Sequence, residues 1–309
     1  MVQILLGAIV RHEANVLRMS YEYLSNEQLW RLSEAMSVLA EETSRLFGNM
    51  RVLPGIPGSH SPSLHSTRDE LEAHFHESRN NFIRIGSLVI QHNIQWNPFH
   101  ILREFARQHQ LDYTQLVFEL HSHLPFWGGN NQSRSGHGST EETTMAIVTR
   151  LKPLLLSLKV GSLLDAPCGD FAWAKRIDWS EITYTGVDIV SDMIEENQQK
   201  FGSDNIRFQQ LNICCDPLPQ AEAILCRDGL FHLSWEDALA ALRNFKQSGA
   251  IYLLSTTFPQ SPDNVNIQTG EWYPVNLQGP PFNFPNPLEQ FEDGYQNRYL
   301  GVWRLSDIP

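Results

Sequence analysis

The sequence predicts an α/β fold: a mostly parallel sheet covered by helices on both faces, with an antiparallel edge hairpin and an α-helical region before it. Three observations predict it. From residue 161 short apolar runs alternate with amphipathic ones, the rhythm of β-α-β units. The first apolar run, Leu163-Leu164, ends in Asp165 and a tight turn, Pro167-Cys168-Gly169-Asp170, before an amphipathic run opens at Phe171. About twenty residues further on, Tyr184-Thr185-Gly186-Val187 ends in Asp188. A buried strand feeding a glycine turn, with an acid closing the next strand, is the Rossmann-like arrangement that holds a nucleoside-bearing ligand.

Each element follows from local pattern. In residues 1–47, Leu5, Ile9, Val16 and Leu17, then Leu24, Leu29, Leu32, Met36 and Leu39, recur at helical spacing. Ser25 and Gln28 have the spacing of a capping box. Residues 48–66 break the pattern with Gly48, Pro54, Gly55, Pro57, Gly58 and Pro62, which reads as a loop. Residues 67–92 resume a helical pattern, Pro98 marks a break, and 99–121 holds one or two more helices. Strands are expected near 162–166, 183–188, 206–211, 222–227 and 250–257, and helices near 171–177, 191–201 and 235–246. After 258 seven prolines make a long irregular excursion, and Tyr299–Leu305 closes as a strand. With no helix before it, that strand should form an antiparallel hairpin with its predecessor. The division expected is 1–122, helical, and 123–309, ligand-binding.

Composition narrows the class. At 309 residues and 41% hydrophobic content the chain holds one large or two small domains with a real core. A net charge of −12 argues against a nucleic-acid binder, which needs a basic face. Ile4–Val10 is too short to cross a membrane, and no signal-peptide pattern follows it. The four cysteines, Cys168, Cys214, Cys215 and Cys226, lack zinc spacing and read as buried or turn thiols in a reducing cytoplasm. His74-x-His76 and His121-x-His123 invite a metal reading. On a helix, residues two apart point about 200° away from each other, so surface histidines and no metal are expected.

The glycine turn selects the ligand. A pyrophosphate-binding turn would carry Gly-x-Gly-x-x-Gly, whereas here one glycine is flanked by Asp165 and Asp170. Carboxylates would repel a pyrophosphate and suit a cationic amino group beside a sulfonium, which points to S-adenosylmethionine (SAM). Asp188 sits where an acid accepts hydrogen bonds from both ribose hydroxyls. The polar stretch 127–140 leads into a helix from about Glu141, with Ser139 and Glu142 at capping-box spacing. It is either a connector or a loop whose hydroxyls and amides meet the methionine carboxylate.

With these residues in view, the chain resembles the class I SAM-dependent methyltransferases. It is most similar to a bacterial subfamily whose core reads Asp165-Ala166-Pro167-Cys168-Gly169-Asp170-Phe171-Ala172-Trp173 here. Further shared stretches are Gly186–Val190, Leu225–Ser234, Arg243–Lys246, Asn276–Pro285 and Gly301–Leu305, and Ser133–Ser139 looks like the segment before the core. The match spans roughly 125–309 and brings the reaction type without the acceptor. It implies a class I sheet, with SAM as cofactor and S-adenosylhomocysteine (SAH) as product. The cofactor contacts it implies are Trp127, Ser139, Thr140, Asp165, Pro167, Cys168, Gly169, Asp170, Trp173, Asp188, Ile189, Asn212, Ile213, Arg227 and Asp228. Asn212 departs from the acid many such enzymes place near the adenine amine, though its side-chain oxygen can still accept from that amine. His137 stands where a small residue or proline is expected.

Methyl transfer from a sulfonium needs alignment and exclusion of water, and a base only when the acceptor must lose a proton. Asp228 and His232 are the catalytic candidates, after the fourth strand and four residues apart, with His232 as base toward a hydroxyl. The competing reading has Asp228 capping a helix and His232 packing beside the adenosine. Trp272, Tyr273, Asn276, Phe282 and Asn283 form either an acceptor pocket or a satellite core. Pro280-Pro281-Phe282 is in the wrong place for the motif of enzymes that methylate nucleic-acid bases. The expected acceptor is an oxygen on a small natural product, sugar or modified peptide, with nitrogen acceptors and a non-catalytic scaffold as alternatives. The helical region would act as a lid, an acceptor-binding element or a dimer contact, and the chain could be a module of a larger biosynthetic enzyme.

Overall fold

The structure is a computed structural model that describes residues 24–48, 63, 65–91, 98–123, 133–294 and 297–309. The chain forms two compact units, Met1–Asn131 and Gln132–Pro309. The expectations for residues 1–23 and most of 48–66 lie outside the described residues.

The first unit contains four described helices, α1 (Asn26–Gly48), α2 (Arg68–Gln91), α3 (Pro98–His109) and α4 (Tyr113–His123). The capping box at the start of α1 is present: Ser25 N–H donates to Gln28 Oε1 at 2.7 Å and Gln28 N–H to Ser25 Oγ at 3.2 Å. Pro98 does not merely break the chain. It opens α3, where a missing N–H costs nothing. Helices α1 and α2 run side by side in the same direction, since Arg68 bonds the Leu24 carbonyl, His74 meets Glu34 and Ser78 meets Ser37. Leu29, Leu32, Met36 and Leu39 of α1 pack with Leu71, Phe75 and Phe82 of α2, Leu102 of α3 and Leu116 of α4.

The expectation of surface histidines is corrected here. His74, His121 and His123 are all buried. His74 Nε2 lies 3.0 Å from Glu34 Oε1, and His121 packs between Phe99 and Phe118 while His123 meets Phe75 edge-on. Nearly all of α4's second half is enclosed, so imidazoles serve there as flat rings among phenyl groups. Among the described residues no group of His, Cys, Asp or Glu is arranged to hold a metal.

The second unit is a seven-stranded sheet of order β3-β2-β1-β4-β5-β7-β6. The strands are β1 (Ser162–Asp165), β2 (Thr183–Asp188), β3 (Ile206–Gln210), β4 (Ala223–Cys226), β5 (Tyr252–Thr257), β6 (Glu289–Glu292) and β7 (Tyr299–Arg304). Helices α5 (Glu141–Ser157), α6 (Ser191–Phe201) and α7 (Trp235–Gln247) accompany them. β1 to β5 are parallel and β7 is antiparallel to both its neighbours, so the fold is the Rossmann-like sheet expected. Leu163, Leu164, Ala223, Ile224, Leu225, Leu253 and Leu254 are fully enclosed, as continuous apolar runs in parallel strands require.

The expected antiparallel edge is present, with β7 paired to β5, and β6 extends it by one strand. β6 reads Glu-Gln-Phe-Glu with only Phe291 buried, which gave no apolar run to detect. No α-helix follows β1: Phe171 takes φ 56°, Asp170 Oδ1 accepts the Ala172 N–H, and only a 3-10 turn, Ala174–Arg176, forms. That turn drops the Phe171 ring among Tyr184, Phe201 and Phe208. The Ser139–Glu142 capping box is also absent. Ser139 belongs to a 3-10 turn, Thr140 is the N-cap of α5, and Thr143 and Thr144 hydroxyls back-bond the Thr140 carbonyl.

Candidate functional site

The carboxyl ends of β1, β2 and β4 carry the acids expected from sequence, Asp165, Asp188 and Asp228, and strand register explains the grouping of the first two. Asp165 at the end of β1 lies opposite Gly186 of β2, so the same-face residues Tyr184 and Asp188 flank its carboxylate. The Tyr184 hydroxyl donates to Asp165 Oδ2 at 2.6 Å. Asp165 Oδ1 is buried and has no hydrogen-bond partner among the described residues. Burial pushes the Asp165 carboxyl up to about 7, with the Tyr184 bond and Arg227 acting the other way.

Asp188 closes the turn after β1. Its Oδ2 accepts the Gly169 N–H at 3.0 Å and its Oδ1 the Val190 N–H at 3.1 Å. Burial pushes it up to about 6, against those amide bonds. Gly169 sits at φ 58°, and a Cβ there would collide with Ser135 Oγ. Asn197 of α6 donates to the Gly169 carbonyl at 2.8 Å. The turn is therefore held from the neighbouring strand, the following helix and the preceding loop.

Asp170, expected at the cofactor, is engaged with that loop. Its carboxylate accepts from Ser133 Oγ, Ser135 Oγ and the Arg134 N–H, at 3.1, 3.3 and 2.7 Å. Arg134 then pairs with Asp192 and Glu196 of α6. Residues 133–140 thus run against the turn, with Ser139 and Thr140 buried and His137 exposed. Trp127 lies outside the described residues. Pro167 is half-buried at the turn, 2.6 Å from where a Cβ on Gly229 would stand. The Cys168 thiol is buried, and desolvation raises it well above the usual thiol range. Ile189 is half-buried and Ile213 is buried beyond β3. Asn212 Oδ1 accepts the Cys214 N–H at 3.0 Å, so part of its capacity serves its own turn.

Beyond β4 two expected residues have surroundings the sequence does not reveal. Arg227 is not open to a ligand: its side chain is enclosed between Asp293, the Gly138 carbonyl and the Trp173 ring. Asp228 does not cap a helix, the competing role expected for it. Its N–H donates to Thr256 Oγ1, and Ser234 caps α7. Asp228 Oδ2 lies 2.7 Å from Arg298 and 3.2 Å from Arg227. Burial opposes its charge, but the two guanidiniums outweigh burial and hold the carboxyl below its ordinary range. Both arginines also pair with Asp293, at 2.9 and 3.1 Å, which completes a largely buried quartet of two cations and two anions. Asp293 and Arg298 were missed because they lie far along the chain in a segment without periodicity.

His232 falls in a 3-10 turn, Leu230–His232, rather than on a shared α-helical face with Asp228. Its Nδ1 lies 2.9 Å from the Glu271 carbonyl, which can only accept. The neutral ring therefore carries its proton on Nδ1 and its lone pair on Nε2. Burial pushes His232 down to about 4, against the Glu271 bond and Asp228. The excursion after β5 folds back here: the Gly270 and Tyr273 N–H groups donate to the His232 and Phe231 carbonyls. Trp272 meets Phe231 and Phe258 edge-on. The expected acceptor residues divide. Trp272 and Tyr273 are half-buried beside Phe231, whereas Phe282 is core and Asn276 is spent on its own turn with Asn264, Gln278 and Pro259. Asn283 is exposed at φ 50°.

Residues 163–248 match the family model of a methyltransferase domain. The matched stretch runs from β1 through α7 and includes Asp165, Gly169, Asp188 and Asp228. A search of curated proteins finds no match. Among solved structures the chain is similar to the N-methyltransferase NodS from Bradyrhizobium japonicum WM9 in complex with SAH. The identity is 15% over 62% of this chain and 98% of that one, with a TM-score of 0.43. It is similar also to magnesium protoporphyrin IX methyltransferase (ChlM) from Synechocystis PCC 6803 with bound SAM, at 13% identity over 68% of this chain and 96% of that one, TM-score 0.41.

Proposed function

We propose that the chain is a SAM-dependent methyltransferase that places the methyl group on an oxygen, hydroxyl or carboxylate, of a small natural product, sugar or modified peptide. The observation that carries the reading is Asp165 Oδ1, a buried carboxylate oxygen without a partner at the lip of the Gly169 turn. A buried polar atom left unpaired is costly, and the amino group of a methionine moiety supplies the missing donor and the charge. Asp188 Oδ1 and Oδ2 each accept one backbone amide, and a carboxylate oxygen has capacity for a second donor, here a ribose hydroxyl. When bound, SAM supplies an electrophilic methyl on a sulfonium.

The chain's own residues then orient and exclude water. Phe231 and Trp272 offer an apolar wall at the end of β4. Asp228 remains an anion between Arg298 and Arg227, and the proton of a hydroxyl acceptor goes to His232 Nε2. An amine acceptor is the second reading, favoured by that same histidine: an imidazole held near 4 is a weak base and suits an acceptor that brings its own lone pair. Base-labile incorporation of label from methyl-labelled SAM would mark a carboxylate ester and set the amine aside.

The test of the cofactor is calorimetric titration of the protein with SAM and SAH. Saturable binding is expected. Asp188→Ala should lose about 2–3 kcal/mol from two charged hydrogen bonds, or about a hundredfold in Kd, with its circular dichroism unchanged. No heat and no thermal shift with either ligand would remove the enzyme reading and leave a scaffold that keeps the fold.

A further inference from the structure

We propose that Cys214 and Cys215 are a modification site: a vicinal dithiol that a hydroperoxide closes to a disulfide, loosening the turn that carries Asn212 and Ile213. Its effect on ligand affinity rests on the cofactor reading above, whereas its chemistry does not. The chain's four cysteines divide sharply. Cys168 and Cys226 are buried, and desolvation raises both thiols, which keeps them inert. Cys215 is exposed and Cys214, its direct neighbour, is half-buried.

The turn they occupy is stitched by their own backbone. Asn212 Oδ1 accepts the Cys214 N–H at 3.0 Å, and the Asn212 carbonyl accepts the N–H groups of Cys215 and Asp216 at 3.1 and 2.9 Å. Asn244 Nδ2 fastens the Ile213 and Asp216 carbonyls at 2.9 and 2.8 Å. Adjacent Cα atoms across a trans peptide are about 3.8 Å apart, less than the roughly 4.4–6.8 Å a relaxed disulfide spans. Closing the ring twists the peptide between the two cysteines, and the N–H displaced with it is that of Cys215, which the Asn212 carbonyl holds. The same strain makes the bond easily reduced, so the mark is reversible.

The chemistry balances with a hydroperoxide as oxidant. The Cys215 thiolate attacks one peroxide oxygen; an S–O bond forms, the O–O bond breaks, and an alcohol, or water from hydrogen peroxide, departs. The Cys214 sulfur then attacks the Cys215 sulfur; the S–S bond forms, the S–O bond breaks, and water leaves with the Cys214 proton. Two thiols give up two electrons, and the hydroperoxide takes them.

The experiment treats the whole protein with hydrogen peroxide, alkylates it and weighs it. A loss of about 2 Da is expected, with both thiols of the 212–216 peptide protected from alkylation and restored by dithiothreitol. Affinity for SAH should fall about tenfold on oxidation and recover on reduction. Cys214→Ser and Cys215→Ser should keep the affinity of the reduced protein and lose its sensitivity to peroxide. A Cys215 found as sulfinic acid, a disulfide between two chains, or thiols still open to alkylation would overturn the proposal. So would a disulfide that leaves both SAH affinity and amide exchange across 212–216 unchanged. If the reduced protein does not bind SAH, the cofactor reading fails, and the mass and the amide exchange still decide the dithiol.

Discussion

Asp165 and Asp188 are carboxylates whose surroundings work against their charge, and that sets a pH dependence. Their folded values, about 7 and about 6, lie above the ordinary aspartate value of 3.8, so the folded protein without ligand favours their protonated forms. A raised value contributes stability that is complete below the unfolded pKa and is lost as pH rises through the folded one. The ligand-free protein therefore loses these contributions between about pH 4 and 7. A cationic amino group needs the charged forms, so SAH affinity should climb across the window in which the ligand-free protein weakens. Asp165→Asn should bind more weakly and lose the upper part of that climb, above the Asp188 value of about 6. Titration calorimetry from pH 5 to 8 measures it. A wild-type profile flat across that range would mean that Asp165 does not meet the ligand.

Elements carry a different kind of information. In the helical unit, Arg31 Nη2 of α1 donates to both carboxylate oxygens of Glu119 of α4, at 2.6 and 2.5 Å, and Glu119 is almost fully enclosed. Removing one partner strands the other, so Glu119→Ala should destabilise this unit by about 3–5 kcal/mol, read by chemical denaturation. The change should leave SAH affinity per folded molecule unaltered. The strands that position the site were legible because parallel strands buried on both faces must be apolar runs, and Asp165 and Asp188 interrupt those runs at their ends. The helical face of Leu29, Leu32, Met36 and Leu39 was legible for a similar reason: one stripe, one core. What escaped had no period. β6 is polar, the turn after β1 depends on Phe171 reaching a core that only tertiary structure creates, and Arg298 finds Asp228 across 70 residues. Asp228 was visible as a residue, but its proton affinity is set by arginines that local pattern does not reveal.

At the scale of the whole molecule, each unit has its own enclosed core. Leu29, Leu32 and Met36 belong to one, and Leu163, Tyr184 and Leu254 to the other. Domains with separate cores unfold as separate cooperative units. Differential scanning calorimetry should then show two transitions, and saturating SAH should raise only the one that belongs to residues 132–309, by the linkage between binding and unfolding. Glu119→Ala should lower only the other. A single transition that both perturbations move together would show that the two units share one cooperative unfolding event.

The quartet of Arg227, Asp228, Asp293 and Arg298 also dictates an order of events during synthesis. Gly138 and Thr143 lend it carbonyls from the start of the second unit, Arg227 and Asp228 follow, and Asp293 and Arg298 leave the ribosome after them. Until that late segment arrives, Arg227 and Asp228 have no reason to leave water, and the end of β4 stays open. A growing chain can assemble the Gly169 turn while the end of β4 still lacks two of its four charges, so that end of the sheet is closed by residues 66 and 70 positions further on.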